Sequence, residues 1–430
     1  MKRYETYKDS GIQWWEEIPT HWDLKKAKHI FSLVTENVSD SSLPKIALEN
    51  IESWTGKYIE TDSDFMGEGV EFKKDDILFG KLRPYLAKVY KAEFAGQAVG
   101  DIYVFRGNEE QNPEYLKYLL LSYPFISVVD GSTYGAKMPR ANWDFISHLV
   151  LPCPPKTEQV TIAAFLDHKV GQIDATIAEK EQMLEDLKAY RSAIISEAVT
   201  KGLDKNVEMK DSGVEWIGMI PRHWNINKLK FFADISTGTT PSTDNEEYWK
   251  EPTENWYTPS DFCEENVHLE TSSRKVSTTA FQESACRVFK KDVVLVVGIG
   301  ATLGKIGISR VECSANQQIN AIEFYDNVYP LFGAYYLSSL KEVMKSLASA
   351  ATLAIMNQSV TGSIPFVCPT LDEQKEIADY LEKKTKSIGS LLNQIEAQID
   401  ELKSYKSILI TEAVTGKIDV REWKPKKENV

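Results

Sequence analysis

The chain repeats itself in two separate places, and the repeats flank segments that do not match. Near its start stands Lys8-Asp9-Ser10-Gly11-Ile12-Gln13-Trp14, followed by Ile18-Pro19-Thr20-His21-Trp22. At mid-chain stands Lys210-Asp211-Ser212-Gly213-Val214-Glu215-Trp216, followed by Ile220-Pro221-Arg222-His223-Trp224, at an offset of 202 residues. A second pair closes the variable stretches. Glu158-Gln159 with Glu197-Ala198-Val199-Thr200 matches Glu373-Gln374 with Glu412-Ala413-Val414-Thr415, at an offset of 215. Duplication at this period builds two similar modules, and two modules suit a target with two related sites.

Residues 1–155 and 205–370 read as mixed domains with many short strands. Apolar runs such as Ile77-Leu78-Phe79 and Val293-Val294-Leu295-Val296-Val297 are bounded by charge or glycine, as buried strands are. Phe72-Lys73-Lys74-Asp75-Asp76-Ile77-Leu78 and Phe289-Lys290-Lys291-Asp292-Val293-Val294-Leu295 are one equivalent step, now at an offset of 217. Insertions and deletions have therefore accumulated inside a common scaffold, so the two domains should fold alike and present different surfaces.

Each domain ends in prolines, Pro152-Cys153-Pro154-Pro155 and Pro365-Phe366-Val367-Cys368-Pro369, and a long helix should start near Thr157-Glu158 or Asp372-Glu373. Heptad seam positions hold Ile173, Ile177, Leu184, Leu187 and Ile194 in the first helix. The second has Ile388, Leu392, Ile399, Leu402 and Leu409 at an offset of 215, with Ile395 where Lys180 interrupts the first. Gly202 and Gly416 lie just past the last turns, where left-handed caps favour glycine. One reading is a spacer: only an antiparallel pair would set similar domains symmetrically at opposite ends. About 30 residues would give a rod of roughly 45 Å, on the order of a dozen base pairs of B-DNA. The other reading packs each amphipathic helix on its own domain.

Composition narrows the setting. The five cysteines (Cys153, Cys263, Cys286, Cys313, Cys368) include no closely spaced pair, which argues against structural zinc and a disulfide framework and for a reducing cytoplasm. No apolar run approaches the roughly 18 residues of a membrane span, and Met1-Lys2-Arg3 opens no signal peptide. The net charge of −13 is awkward for a nucleic-acid binder, which normally carries a basic footprint. If the chain meets DNA, partners should supply much of the phosphate affinity.

Catalytic motifs are missing. Gly298-Ile299-Gly300-Ala301-Thr302-Leu303-Gly304-Lys305 has the wrong spacing for a phosphate loop, and Ile306 stands where Ser or Thr should hold magnesium. A turn after a buried strand fits better and would leave Lys305 on a loop. His21 and His223, each between a proline turn and a tryptophan, read as structural hydrogen-bonding groups. For base reading the candidates are Lys81, Arg83, Lys137 and Arg140 in the first domain. In the second they are Lys305, Asn316, Gln317, Gln318, Asn357 and Gln358.

The Lys-Asp-Ser-Gly…Trp…Ile-Pro…His-Trp opening resembles the specificity subunit of type I restriction-modification systems. So do Pro-Cys-Pro-Pro…Glu-Gln before a long helix and Glu-Ala-Val-Thr…Gly at its end, with both halves in family order. The resemblance implies an α+β chain with pseudo-two-fold symmetry. Its parts would be target-recognition domains at 1–155 and 205–370, antiparallel coiled-coil spacer helices at 156–204 and 371–419, and a tail at 420–430. It implies double-stranded DNA as target, two methyltransferase subunits docked on the helices, and restriction subunits. S-adenosylmethionine, ATP and magnesium would be held by those partners, and no cofactor or metal by this non-catalytic chain. Two other classes compete: a scaffold binding peptide or polysaccharide, and a self-contained nuclease-methyltransferase, against which the absent motifs argue.

Overall fold

The computed structural model describes residues 2–12, 14–38, 43–61, 68–133, 138–349 and 355–425. The chain forms two compact units, Met1–Glu181 with Ala397–Val430, and Gln182–Glu396. Each unit contains one domain and a half of each of two long helices, Lys156–Lys201 and Leu371–Val414.

In the first unit Tyr7–Asp9 and Glu17–Pro19 make an antiparallel hairpin. Asp23–Lys26 then pairs with Val150–Cys153, so the two ends of the domain lie side by side. Between them an antiparallel sheet runs in the order Phe31–Val34, Ile102–Gly107, Ile77–Gly80, Val89–Lys91. A second sheet runs Asn37–Val38, Gly69–Phe72, Gly96–Ala98, Lys45–Ile46. Ile77–Gly80 is buried on both faces, which explains its unbroken apolar run. Phe79 contacts Phe105 in its sheet and Phe125 on the helix Tyr123–Gly131.

The second unit repeats this order. Met209–Asp211 pairs with Met219–Pro221, and Asn225–Lys228 with Pro365–Cys368. The main sheet runs Ala233–Thr237, Ile319–Phe324, Val293–Val297, Ile306–Ser309, His268–Leu269. The shared Phe-Lys-Lys-Asp step is a tight turn in both units: Asp75 (φ 72) and Asp292 (φ 66) are left-handed, a region Asp tolerates better than most residues.

The Lys-Asp-Ser-Gly run of the repeated opening is structural in both units. Gly11 and Gly213 take φ values of 66 and 71, and their amides donate to Asp9 and Asp211 at 2.8 and 3.0 Å. Ser10 and Ser212 accept from the amides of Ile12 and Val214. Lys8 and Lys210 donate to the carbonyls of Trp22 and Trp224, both fully buried. The Glu-Gln pair at each long helix start completes the frame. Glu158 accepts from Trp22 Nε1 (3.1 Å) and from the Tyr4 hydroxyl, and lies 2.9 Å from His21 Nε2. Glu373 accepts from Trp224 Nε1 (3.2 Å) and lies 2.8 Å from His223 Nε2. Gln159 and Gln374 donate to the carbonyls of Pro154 and Pro369 and accept from the amides of Asn112 and Tyr329.

Both helix-closing glycines are left-handed, Gly202 at φ 78 and Gly416 at φ 75. A Cβ on Gly416 would lie 2.4 Å from Cδ of Pro19, whereas one on Gly202 would lie 3.1 Å from the Trp224 ring. Gly416→Ala is therefore expected to destabilise by about 2 kcal/mol and Gly202→Ala by about 1 kcal/mol. Urea midpoints of the two variants check the ranking; equal losses would mean that backbone strain alone sets both.

Along the long helices Ile173, Ile177, Leu184, Ile388, Leu392, Ile399 and Leu409 are buried, and Leu187, Ile194 and Leu402 half-buried. The helix halves in the first unit run antiparallel: Asp174 meets Lys406 at 2.8 Å and Lys180 meets Gln398 at 2.7 Å. Lys57 of the domain joins Asp174 at 2.9 Å. In the second unit the repeat equivalent of Lys406 is Arg191 and that of Asp174 is Gly389. Arg191 instead donates to the carbonyls of Glu264 and Glu265, both at 2.9 Å. The same helix-to-domain junction is thus tied by an ion pair in one unit and by backbone carbonyls in the other.

Candidate nucleic-acid interface

In the first unit the buried strand Ile77–Gly80 feeds a loop at residues 81–88. The Lys81 amide donates to the Asp101 carbonyl (2.9 Å), the Ala141 amide to Lys81 (2.8 Å), and the Arg83 amide to Pro139 (2.8 Å). Leu82 and Arg140 form the bridge between the two segments. Three candidates read from sequence, Lys81, Arg83 and Arg140, therefore share one patch, and Lys137 lies outside the described residues. Asp101 partly neutralises the patch. Arg140 binds it through two nitrogens at 3.1 Å, which holds the guanidinium above its usual range, and Lys81 approaches within 3.7 Å. Arg83 is exposed and makes no ion pair among the described residues.

The backbone here is strained. Arg83 (φ 51, ψ 65) and Ala87 (φ 46, ψ 48) are both left-handed and bracket the turn Pro84–Leu86. Such a conformation costs a residue with a side chain about 1–2 kcal/mol. The paired loop of the second unit, between Val293–Val297 and Ile306–Ser309, has the same frame. Ile299 bridges Ile355 as Leu82 bridges Arg140, and the Gly298 amide donates to Gln318 (2.7 Å) as Lys81 does to Asp101. At the two left-handed positions, however, the second unit has Gly300 (φ 91) and Gly304 (φ 83). Glycine adopts this region freely, so the first unit alone bears strain in order to keep side chains there.

On the second unit the polar candidates gather around this frame. The turn at Asn316, Gln317 and Gln318 is closed by Asn316 Nδ2 donating to Gln318 Oε1 at 3.0 Å. Asn357 caps the helix Gln358–Ser363, and Gln358 Nε2 donates to the Thr237 hydroxyl at 2.9 Å. The Thr240 hydroxyl donates to Gln317. Lys305 stands apart, its ammonium 3.0 Å from the Phe262 carbonyl. The glycine-rich stretch is a hairpin turn.

Sequence reasoning missed several neighbours. The segment at 238–241 crosses the Asn316 turn so closely that a Cβ on Gly238 would lie 2.2 Å from the Ala315 carbonyl oxygen. Gly-Thr-Thr-Pro was a readable turn signal there. Arg287 ties that segment down: its guanidinium donates to the Thr237 carbonyl (3.3 Å) and its amide to the Thr239 hydroxyl oxygen (2.7 Å). Exposed Arg274 sits over the rings of Trp249 (5.1 Å) and Trp256 (5.0 Å); no spacing in the sequence announces that stack. Burial pushes the thiols of Cys153, Cys286, Cys313 and Cys368 up, Cys313 to about 12, which removes them as nucleophiles at neutral pH. Among the described residues no His, Cys, Asp or Glu cluster suits a metal ion, and no helix is long and apolar enough to cross a membrane.

The comparisons agree with this architecture. The family model of the type I restriction modification DNA specificity domain matches residues 30–188 and 221–401. A putative type I restriction enzyme MjaX specificity subunit from Methanocaldococcus jannaschii is 23% identical over 96% of this chain and 98% of its own length. The MjaIX specificity subunit of the same organism is 27% identical over 43% of this chain, which spans 44% of that relative's length. The Escherichia coli EcoBI specificity subunit is 23% identical over 83% of this chain and 76% of its own. Among solved structures, a chain of a type I R-M system superposes with a TM-score of 0.75 at 17% identity, covering 93% of this chain and 99% of that one. The HsdS subunit from Thermoanaerobacter tengcongensis superposes at 0.51, with 18% identity over 93% and 98%. With the family model spanning both halves and most of its length, this chain belongs to the type I restriction-modification DNA specificity family, the non-catalytic recognition subunits of those systems.

Proposed function

We propose that this chain reads a bipartite, asymmetric sequence in double-stranded DNA, residues 1–155 taking one half-site and 205–370 the other. The observation that carries this reading is the shared loop frame, Leu82 with Arg140 and Ile299 with Ile355, which displays different side chains in the two units. Lys81, Arg83 and Arg140 read one half-site, together with Lys137 outside the described residues; Asn316, Gln317, Gln318, Asn357 and Gln358 read the other, with Lys305 contributing from its separate place at the hairpin end. The first set is built for guanine edges and phosphates, the second for adenine edges. Residues 156–204 and 371–419 set the gap between the half-sites and dock two methyltransferase subunits, with 420–430 as a tail. Restriction subunits join that assembly in the cytoplasm, and the partners hold S-adenosylmethionine, ATP and magnesium. The net charge of −13, and the capture of Lys81 and Arg140 by Asp101, both support phosphate affinity supplied largely by those partners.

Mapping N6-methyladenine in a methylation-free host that co-expresses the chain with its methyltransferase tests the reading. The expected result is a new split motif with two short unequal halves around a fixed gap. Exchanging residues 20–150 for those of another family member should then change one half and leave the other intact. A change in both halves would sink the assignment of one domain to each half-site.

A further inference from the structure

Trp54 is itself left-handed, at φ 64, an outlier for so bulky a residue. Its amide donates to the Ala87 carbonyl (3.2 Å) and its indole N–H to the Tyr85 carbonyl (3.1 Å). Both acceptors belong to the strained loop that carries Arg83. On its other side the indole stacks on Tyr123, with centroids 6.4 Å apart and planes 23° apart. Lys88, at the loop's far end, donates to the carbonyls of Leu48 (2.6 Å) and Ile51 (2.8 Å), just upstream of Trp54. Three left-handed residues with side chains, Trp54, Arg83 and Ala87, are therefore held in one hydrogen-bonded cluster. Strain of this kind persists only where the surroundings over-determine it, and it concentrates at functional positions.

The second unit has no such requirement. Its loop has glycine at both left-handed positions, and a Cβ on Gly300, the equivalent of Arg83, would meet nothing within 4 Å. Space alone thus does not explain the difference. What the clamp adds in the first unit is a fixed origin for the Arg83 side chain, which is exposed and unpaired among the described residues.

We propose that Trp54 is a positioning residue for base reading: it clamps residues 83–87 in their strained form so that Arg83 presents its two-pronged guanidinium to a guanine in the half-site of the first unit. This rests on the reading of the chain as a specificity subunit. A guanidinium can pair with the O6 and N7 edge of guanine only if its approach is fixed. Trp54 touches no base; it acts through the backbone of Tyr85 and Ala87.

The test compares methylation motifs and thermal melting of the full chain in complex with its methyltransferase subunits. Arg83→Gly, which relaxes the backbone, should melt no lower than the wild type. It should nevertheless lose discrimination at one guanine of one half-site by at least tenfold. Trp54→Ala should relax that same position with Arg83 still present, and Trp54→Phe, which keeps the stack but loses the indole N–H, should fall between. Combining Trp54→Ala with Arg83→Gly should relax the position no further than Arg83→Gly alone, as expected of residues acting through one another. Should Trp54→Ala fail to assemble, Trp54→Phe and Arg83→Gly decide the matter. A wild-type motif that survives Arg83→Gly unchanged, or a Trp54 variant that lowers methylation at every site equally with the motif intact, overturns this proposal alone. A wild-type complex that writes no split motif overturns the reading of the chain, and this proposal with it.

Discussion

Glu158→Ala is expected to destabilise the first unit by about 3–5 kcal/mol, and Glu373→Ala the second by only about 1–2 kcal/mol. The two glutamates hold the same place in the repeat but not the same surroundings. The Glu158 side chain is 5% exposed, and removing it strands two buried donors, the indole N–H of Trp22 and the hydroxyl of Tyr4. Each stranded donor costs about 1–3 kcal/mol. The Glu373 side chain is 33% exposed, so water can replace part of what it provides. The repeat equivalent of Tyr4 is Asn206, which makes no bond to Glu373 among the described contacts. Urea unfolding of each full-length variant, followed by tryptophan emission, measures both losses. Equal losses would show that the Tyr4 contact adds nothing and that the repeated motif alone sets the stability of each junction.

At neutral pH, Asp174→Asn should cost about 3 kcal/mol, because it leaves the ammonium of Lys406 without its counter-charge. The side chains of Asp174 and Lys406 are 14% and 9% exposed, so solvent screens this pair weakly. Burial by itself would raise the Asp174 carboxyl, but hydrogen bonds and charge from Lys406 and Lys57 outweigh it and hold the group below its ordinary value. A carboxylate lowered in the folded state contributes its full stability above its unfolded pKa of about 3.9. That contribution is lost as pH falls through the still lower folded value. The wild type should therefore lose stability more steeply than Asp174→Asn below about pH 4, and the two should converge in acid. Replacing both partners, Asp174→Leu with Lys406→Met, should recover most of the neutral-pH loss, since well-packed apolar groups substitute for a buried pair at little cost. A double variant as unstable as Asp174→Asn would refute the ion-pair account.

The features legible in the sequence are those whose cause is local. The period-seven apolar residues from Ile173 to Leu409 mark the long helices because a helix brings every third or fourth side chain to one face. Gly202 and Gly416 mark their ends because only glycine enters the left-handed region without cost. The two openings were readable as a repeat, and their chemistry as structural, since a histidine between a proline turn and a tryptophan has few other uses. Of the candidate interface, the sequence pointed to Lys81, Arg83 and Arg140 as residue types able to read a groove. It could not show that Arg140 and Lys81 share Asp101, because the three residues lie far apart along a chain that the bridge between Leu82 and Arg140 folds back.

Trp54 shows the limit most clearly. Nothing in Ser53-Trp54-Thr55-Gly56 distinguishes it from a core tryptophan, and its left-handed backbone runs against every local preference. Sequence alone determined that the chain contains two modules of one kind, each opened by the same hairpin and closed by the same long helix, because repetition and periodicity are properties of order along a chain. Tertiary structure decided which side chains stand at the paired loops, that Arg83 and Ala87 endure strain where Gly300 and Gly304 do not, and that Trp54 holds them. The physical reason is that strain and its support come from residues distant in sequence, and only the folded chain brings them within hydrogen-bonding reach.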